Sequence, residues 1–497
     1  MTTKRGLEDD RQVVPRWRTF ELTVQSGELS STNPAEVADV AGELDLLRLD
    51  FRSDPNLFTA ADLLGALISA NAMTDAEAKE IATYILGFTS VPGVLREQAE
   101  HVAFGTRIGS QLLSSNPADS ASLESVARRR VRLFRRLLLT EPLNAVRWID
   151  LALAHSTLGN TRKARKAAEA ALQLQPDNRF VLRASARLFI HLDDPERAHS
   201  ALAATPRSDA DPWLAAALLS ASHLADGALA TRSARELLIS DNFRPFDLSE
   251  LASELGTLEL GAGHSRSAKR LFEQALRDPN ENTVAQASNL SEKADVGLRP
   301  ELLSIAGGHE ARAIMYSREG NWMDATREAE VWAQDQPFAV GPALFGSYAA
   351  SVGAGLYETA LDLAQSGLRA NPNEPNLRNN AAFALANMGR AVDALRLVPD
   401  RSETDGLDAE VSQATLGLIY FRLGDVDQGR RLYDAAVQEM AESGERQVAA
   451  IAMSLWAYEE RRAGTTLAEH VSKISRDAAD RFPSPEAKAV QQRIKEL

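Results

Sequence analysis

Apolar residues recur along most of the chain at the three-to-four-residue spacing of a helix buried on one face. Near the N-terminus Val37, Val40, Leu44, Leu47 and Phe51 form such a stripe. Asn33-Pro34-Ala35-Glu36 precedes it and supplies an N-cap, a proline at the first helical position and a glutamate at the third. This predicts a helix ending near Arg52. A second is predicted over about 59–70. Thr74-Asp75-Ala76-Glu77 reads as a capping box opening a third, which ends near Gly87. Ahead of these, Trp17–Val24 alternates with period two, which suits a short strand or an extended arm, since one strand is not stable alone.

Beyond residue 94 the pattern becomes periodic at a longer scale. Turn residues stand at Gly159, Asp193, Gly227, Gly263, Gly320, Gly355, Gly389 and Gly424, in steps of 34, 34, 36, 57, 35, 34 and 35 residues. Five positions after seven of them stands a small residue: Ala164, Ala198, Ala268, Ala325, Ala360, Ala394 or Gly429, with Arg232 the exception. Pro176, Pro337 and Pro372 follow three of the turns by seventeen residues. The chemistry suits paired helices. Glycine takes the positive φ of a tight helix–helix turn, a small residue lets two helices approach, and proline ends one unit or starts the next.

The segment Trp148, Leu151, Ala152, His155, Gly159, Ala164, Ala171 and Pro176 resembles the tetratricopeptide repeat (TPR), with Ala152, His155 and Ala168 replacing the usual Gly, Tyr and Phe. Leu255-Gly256…Phe272 and Leu416-Gly417…Tyr420…Tyr433 match well, and Asn380–Arg390 has the look of a first TPR helix. The copies over 179–210 and 211–245 are degenerate. The 57-residue step leaves an insertion at about 278–300, read as a loop or a short extra helix. The resemblance implies an all-α, right-handed TPR-like solenoid of eight to ten helical hairpins. It divides the chain into an N-terminal arm and helical cap over 1–94, a solenoid over 95–482 with a first helix at about 95–113, and a C-terminal tail helix over 483–497. A cap covering the first repeat's apolar face is expected of a solenoid; a separate docking module is the other reading of 1–94. The repeat phase predicts that Leu255, Phe272 and Ala360 are buried.

The resemblance also implies that the first helix of each repeat lines a concave groove. The groove positions are then Ile149 and Leu153; Ile314 and Arg318; Phe345 and Ala349; Phe383; and Leu418, Phe421 and Arg422. Such a row is apolar and suits a helix or peptide segment of a partner protein. The same residues would otherwise pack against the chain's own superhelix or N-terminal arm.

Composition narrows the functions. The 497 residues contain 55 Lys+Arg and 69 Asp+Glu, for a net charge of −14, and no cysteine. Zero Cys excludes disulfides, cysteine-ligated metal and a thiol nucleophile. The eight histidines fall in no ligand spacing, and neither a phosphate loop nor a nucleophile elbow occurs. No metal, cofactor or catalytic residue is expected. The charged N-terminus is not a secretory signal and no apolar run reaches membrane-spanning length, so the expectation is a cytoplasmic protein with no membrane contact.

One cluster departs from the acidic balance. Residues 128–136 read RRRVRLFRR, and Arg128, Arg129, Arg132, Arg135 and Arg136 share one helical face opposite Ala127, Val131, Phe134 and Leu138. Arg130 falls on the apolar side. The stripe is either a solvated helix face, supported by Glu124 four residues before Arg128, or an anion site for an acidic partner, nucleic-acid phosphates or a second copy of the chain. The sequence thus points to a non-catalytic, bacterial-type TPR scaffold for a protein partner such as an effector enzyme or regulator. The alternative is a nucleic-acid-associated subunit, in a bacterial defence or toxin system.

Overall fold

The structure, a computed structural model, describes residues 12–29, 44–45, 47–69, 75–89, 91, 93–104, 123–227, 229–291 and 293–497. It is all-α, a solenoid of helical hairpins, with no strand among the described residues. The chain forms two compact units. One comprises Met1–Arg16, Leu153–Arg165 and Ser253–Leu497, the other Trp17–Ala152 and Lys166–Ala252.

Local chemistry sets the helix ends. Asn178, Asp211, Asn280, Asn321, Asp425 and Ser484 each accept a bond from a backbone N–H in the first turn of the helix that follows. Pro195, Pro212, Pro375 and Pro485 stand at helix starts, where the missing N–H costs nothing. Gly159, Asp193, Gly263, Gly320, Gly355, Gly389 and Gly424 all take positive φ, as the turn positions require. The remaining turn differs by one residue: Asp226, not Gly227, carries the positive φ.

In the Trp17–Ala152 and Lys166–Ala252 unit, helices Leu57–Ser69, Ala76–Leu86 and Gly93–Phe104 share a core that includes Leu63, Leu64, Ile81, Ile85 and Val102. Leu44, Leu47 and Phe51 join it, Leu47 and Phe51 from a segment helical over 47–53. The helix from Gly93 packs on Ala76–Leu86, so the expected boundary at 94/95 falls inside a helical cluster. The start expected at Asn33, the cap at Thr74 and residues 105–113 lie outside the described residues. The degenerate copies are true hairpins, Arg179–His191 with Pro195–Ala203 and Pro212–Leu224 with Thr231–Leu238.

In the other unit the paired helices include His309–Arg318 with Trp322–Asp335, Val340–Tyr348 with Tyr357–Ala370, Pro375–Asn387 with Ala391–Leu395, Gly406–Leu423 with Val426–Glu442, and Arg446–Arg462 with Ala468–Arg481. Leu255, Phe272 and Ala360 are buried, as the repeat phase requires. A Cβ on Gly256 would stand 2.9 Å from the Phe272 ring, and one on Gly417 2.8 Å from Tyr433. The glycine and aromatic positions of the repeat are therefore one contact, in which the ring fills the space that glycine leaves.

Within the expected insertion the structure has a short extra helix, not a loop. Glu281–Leu290 is helical and buried at every position. Two of its polar side chains find partners far along the chain or on a neighbouring helix: Gln286 Nε2 donates to Thr257 Oγ1 at 3.0 Å, and Asn282 Nδ2 donates to the Val14 carbonyl at 2.9 Å. Buried polar groups are tolerated when so paired.

Candidate functional site: the inner faces of the first helices

The predicted groove residues lie inside the protein. Ile314, Phe345, Ala349, Phe383, Leu418 and Phe421 belong to one contiguous core, and Ile149 and Leu153 are also buried. This corrects the reading of an open apolar row. First helices such as Pro375–Asn387 bury nearly their whole circumference, so helical spacing marks a face without showing whether it is open. The two predicted arginines are anchored. Arg422 pairs with Glu459 at 2.7 Å and donates to Asn387 Oδ1 at 2.8 Å, and burial pushes Glu459 up to about 6. Arg318 donates to the Ser288 carbonyl at 3.1 Å and to Ser291 Oγ at 3.2 Å.

Both ends of the chain contact first helices. Residues 12–19 have no regular structure and lead into a short helix, Phe20–Gln25. Trp17–Val24 is therefore neither the strand nor the fully extended arm expected: an irregular stretch runs into a helix from Phe20. Within the unit of Trp17–Ala152 and Lys166–Ala252, the Phe20 ring meets Phe180 edge-on at 5.2 Å. The Glu28 carboxylate lies 3.2 Å from Arg183 Nη2, and the Glu28 carbonyl accepts from Arg179 Nη1 at 3.0 Å. Arg183 also donates to Glu250 at 3.0 Å and covers the Trp213 ring at 4.8 Å, while Arg179 pairs with Asp211 at 2.6 Å. Burial works against the Arg183 charge, but Glu250 and Glu28 outweigh it and hold its pKa above the ordinary value. In the other unit, Val13 N–H donates to Glu254 Oε2 at 3.1 Å, and Arg16 pairs with Glu310. Several of these bonds grip the arm's main chain, which any peptide would present.

Asp150 holds the start of the arm helix, accepting from Phe20 N–H at 3.0 Å. Burial pushes its carboxyl up to about 7, against the opposing pull of that bond, Arg147 and Arg130; Glu21 raises it further. An acid whose native pKa is raised binds its proton more tightly folded than unfolded, so stability falls as pH rises between the two pKa values. Asp150→Asn keeps an acceptor for Phe20 and removes the titration. The wild type should therefore lose about 2–3 kcal/mol relative to Asp150→Asn between pH 5 and pH 8. Urea midpoints at both pH values check this; parallel curves would remove Asp150 as the cause.

At the other end, helix Pro485–Lys495 packs on Arg446–Arg462 and on the segment Ala349–Ala354, where the preceding helix widens to π geometry. Ala487, Val490 and Ile494 enter the same core as Phe345 and Phe383. Gln491 Nε2 donates to Ser454 Oγ at 3.0 Å and to Ser475 Oγ at 2.9 Å. Arg493 donates to the Ser351 and Val352 carbonyls and to Tyr357 Oη.

These contacts share a register that sequence reading overlooked. Arg183, Glu310 and Ser454 each stand ten residues before the positive-φ turn residues Asp193, Gly320 and Gly464. They hold Glu28, Arg16 and Gln491, respectively. Ile149 and Phe345 fall in this register too. So does Asn379, ten before Gly389; it is buried, and neither of its amide atoms has a hydrogen-bond partner.

The arginine stripe lies on helix Leu123–Thr140. Arg128, Arg132, Arg135 and Arg136 are exposed and Arg129 is half-buried. Arg128 pairs with Glu124 at 2.6 Å, as the four-residue spacing predicts. Arg130 is turned inward, where burial lowers its pKa against the opposing charges of Asp150 and Glu21. Among the described residues no His/Asp/Glu group could hold a metal ion, and no helix is long and apolar enough to cross a membrane.

Residues 145–188 match the family model described as tetratricopeptide repeat. No curated protein matches the chain. Among solved structures the chain is similar to yeast Tom70, with 14% identity, coverage of 75% of this chain and 92% of that one, and a TM-score of 0.28. It is also similar to the APC/C hetero-tetramer Cut9–Hcn1, with 11% identity, 96% of each chain covered and a TM-score of 0.34. Both TM-scores lie under one half, and neither likeness bears on function.

Proposed function

We propose that this protein is a non-catalytic protein–protein interaction scaffold, which holds a peptide or helical segment of a partner on the inner faces of its first helices. The observation that carries the reading is the shared register. Three of its residues already hold polypeptide, namely an acid, a base and an amide from the chain's own ends. Asn379 at the same register is buried with its amide unsatisfied, at a desolvation cost of roughly 1–3 kcal/mol. A partner's main chain offers the donor and acceptor that this amide lacks. A cytoplasmic location belongs to the same reading.

Asn379→Leu tests it. The substitution removes an unsatisfied buried amide, so thermal stability should hold or rise. A protein that co-purifies stoichiometrically with the wild type should be lost at the same time. Undiminished capture, or a large drop in stability, would show that Asn379 is structural and overturn the assignment. A second reading, binding of nucleic acid or of an acidic second copy through the stripe, is favoured by the exposure of Arg132, Arg135 and Arg136, which make no ion pair among the described residues. It requires binding that weakens steeply with salt and is lost in Arg132→Glu/Arg135→Glu.

A further inference from the structure

The helix Pro485–Lys495 does not continue the hairpin array. A further repeat would stack on its predecessor, Ala468–Arg481. This helix instead lies mainly on Arg446–Arg462 and reaches back to Ala349–Ala354, in the hairpin three before that of Arg446–Arg462. It is amphipathic: Ala487, Val490 and Ile494 are buried, while Lys488, Gln492, Lys495 and Glu496 are exposed. It is joined to Ala468–Arg481 only through Phe482, Pro483 and Ser484. Eleven residues are too few for a stable isolated helix, so its folding is tied to docking. In these respects it behaves as a ligand that is attached to its receptor.

The receptor surface is equally specific. The π geometry at Ala349–Ala354 breaks the regular helical ladder, and Arg493 donates to the Ser351 and Val352 carbonyls there. Ser454 and Ser475 are both buried and both accept from Gln491. Apolar contact, two hydroxyls and two carbonyls therefore select one pattern of helix.

We infer that this inner face is the docking site for an amphipathic helix of another protein, and that the tail helix is its displaceable resident. The fitting helix carries small or β-branched apolar residues at i, i+3 and i+7, an amide at i+4 and a guanidinium at i+6, as Ala487, Val490, Ile494, Gln491 and Arg493 do. This is helix-in-groove recognition. The short tether sets an effective concentration on the order of millimolar, so a free helix of equal quality competes poorly. A longer helix bearing the same pattern displaces the tail. The inference deepens the scaffold reading and rests on it.

The test uses the full chain and a fluorescent peptide of residues 483–497 as the probe. Val490→Asp/Ile494→Asp should expel the tail and open the site. The probe should then bind at least tenfold more tightly than it binds the wild type, by fluorescence anisotropy. Arg493→Ala, which loosens the tail without placing charge in the core, should fall between. Equal affinity for wild type and both variants overturns the inference, as does failure of the probe to bind a double variant that circular dichroism shows to be folded. If the double variant does not fold, Arg493→Ala decides: no gain in probe binding overturns it. A wild-type dimer by light scattering, lost in Arg493→Ala, would overturn the assignment to another protein in favour of tail exchange between copies. The titration contains no partner protein, so its failure is distinct from that of the Asn379→Leu capture experiment.

Discussion

Arg183→Ala is expected to destabilise the protein by about 3–5 kcal/mol. The side chain is 5% exposed and lies between the carboxylates of Glu28 and Glu250, which are 2% and 1% exposed. Deleting the guanidinium leaves two buried carboxylates sharing one site, with Arg18 at 3.9 Å from Glu28 as a weaker countercharge. The loss measures that stranded charge rather than the worth of the ion pair, because a buried pair roughly offsets its own desolvation. One consequence separates this cause from simple cavity formation. The loss should shrink when Glu28→Gln and Glu250→Gln are added, since neutral amides need no countercharge. Urea midpoints for the single and triple variants provide the check. An unchanged midpoint for Arg183→Ala would mean that the arm does not close over this arginine.

The same arginine shows where sequence reading stops. The repeat phase was legible because its signals are local. A turn glycine, a small residue five positions on and an aromatic nine after the turn sit within one hairpin, and Gly256 with Phe272 meets as that spacing requires. Asp193 was recognisable as a turn residue without glycine, whereas Asp226 was hidden beside Gly227. The burial of helix Glu281–Leu290 was not legible, because its polar sequence makes sense only with Val14 and Thr257 as partners. Val14 is 268 residues away from Asn282 in the chain, beyond the reach of any periodicity. Whether the groove face is open or covered was not legible for a related reason. Phe383 and Leu418 lie on the predicted stripe, yet the spacing that places them there is also that of a covered core. The useful signal was the polar residue at a fixed register: Arg183, Glu310, Asn379 and Ser454 are buried on their first helices. A polar residue recurring at one buried register requires a partner, and in three cases the partner is a terminus of the chain.

Phe272→Ala is expected to cost about 3–5 kcal/mol, and to do so locally. The ring is 0% exposed and belongs to a cluster with Leu276, Val284, Leu290 and Ala311. Gly256, on the helix Pro245–Gly261, has no side chain to move into the vacated space. The remaining walls are helices fixed by their own neighbours, so the cavity cannot collapse and the upper part of the range applies. In a repeat array each hairpin contacts mainly its neighbours, so the damage should stay where it is made. Amides in Ser265–Ala275 and Glu281–Leu290 should lose hydrogen-exchange protection. The Val13 and Val14 region of the arm should follow, because Asn282 holds it. Amides in Val426–Glu442 should keep their protection. Loss spread evenly over the chain would show one cooperative core rather than nearest-neighbour stacking. A stability change below about 1 kcal/mol would show that Phe272 does not fill the space beside Gly256, and the repeat phase built on that contact would fall with it.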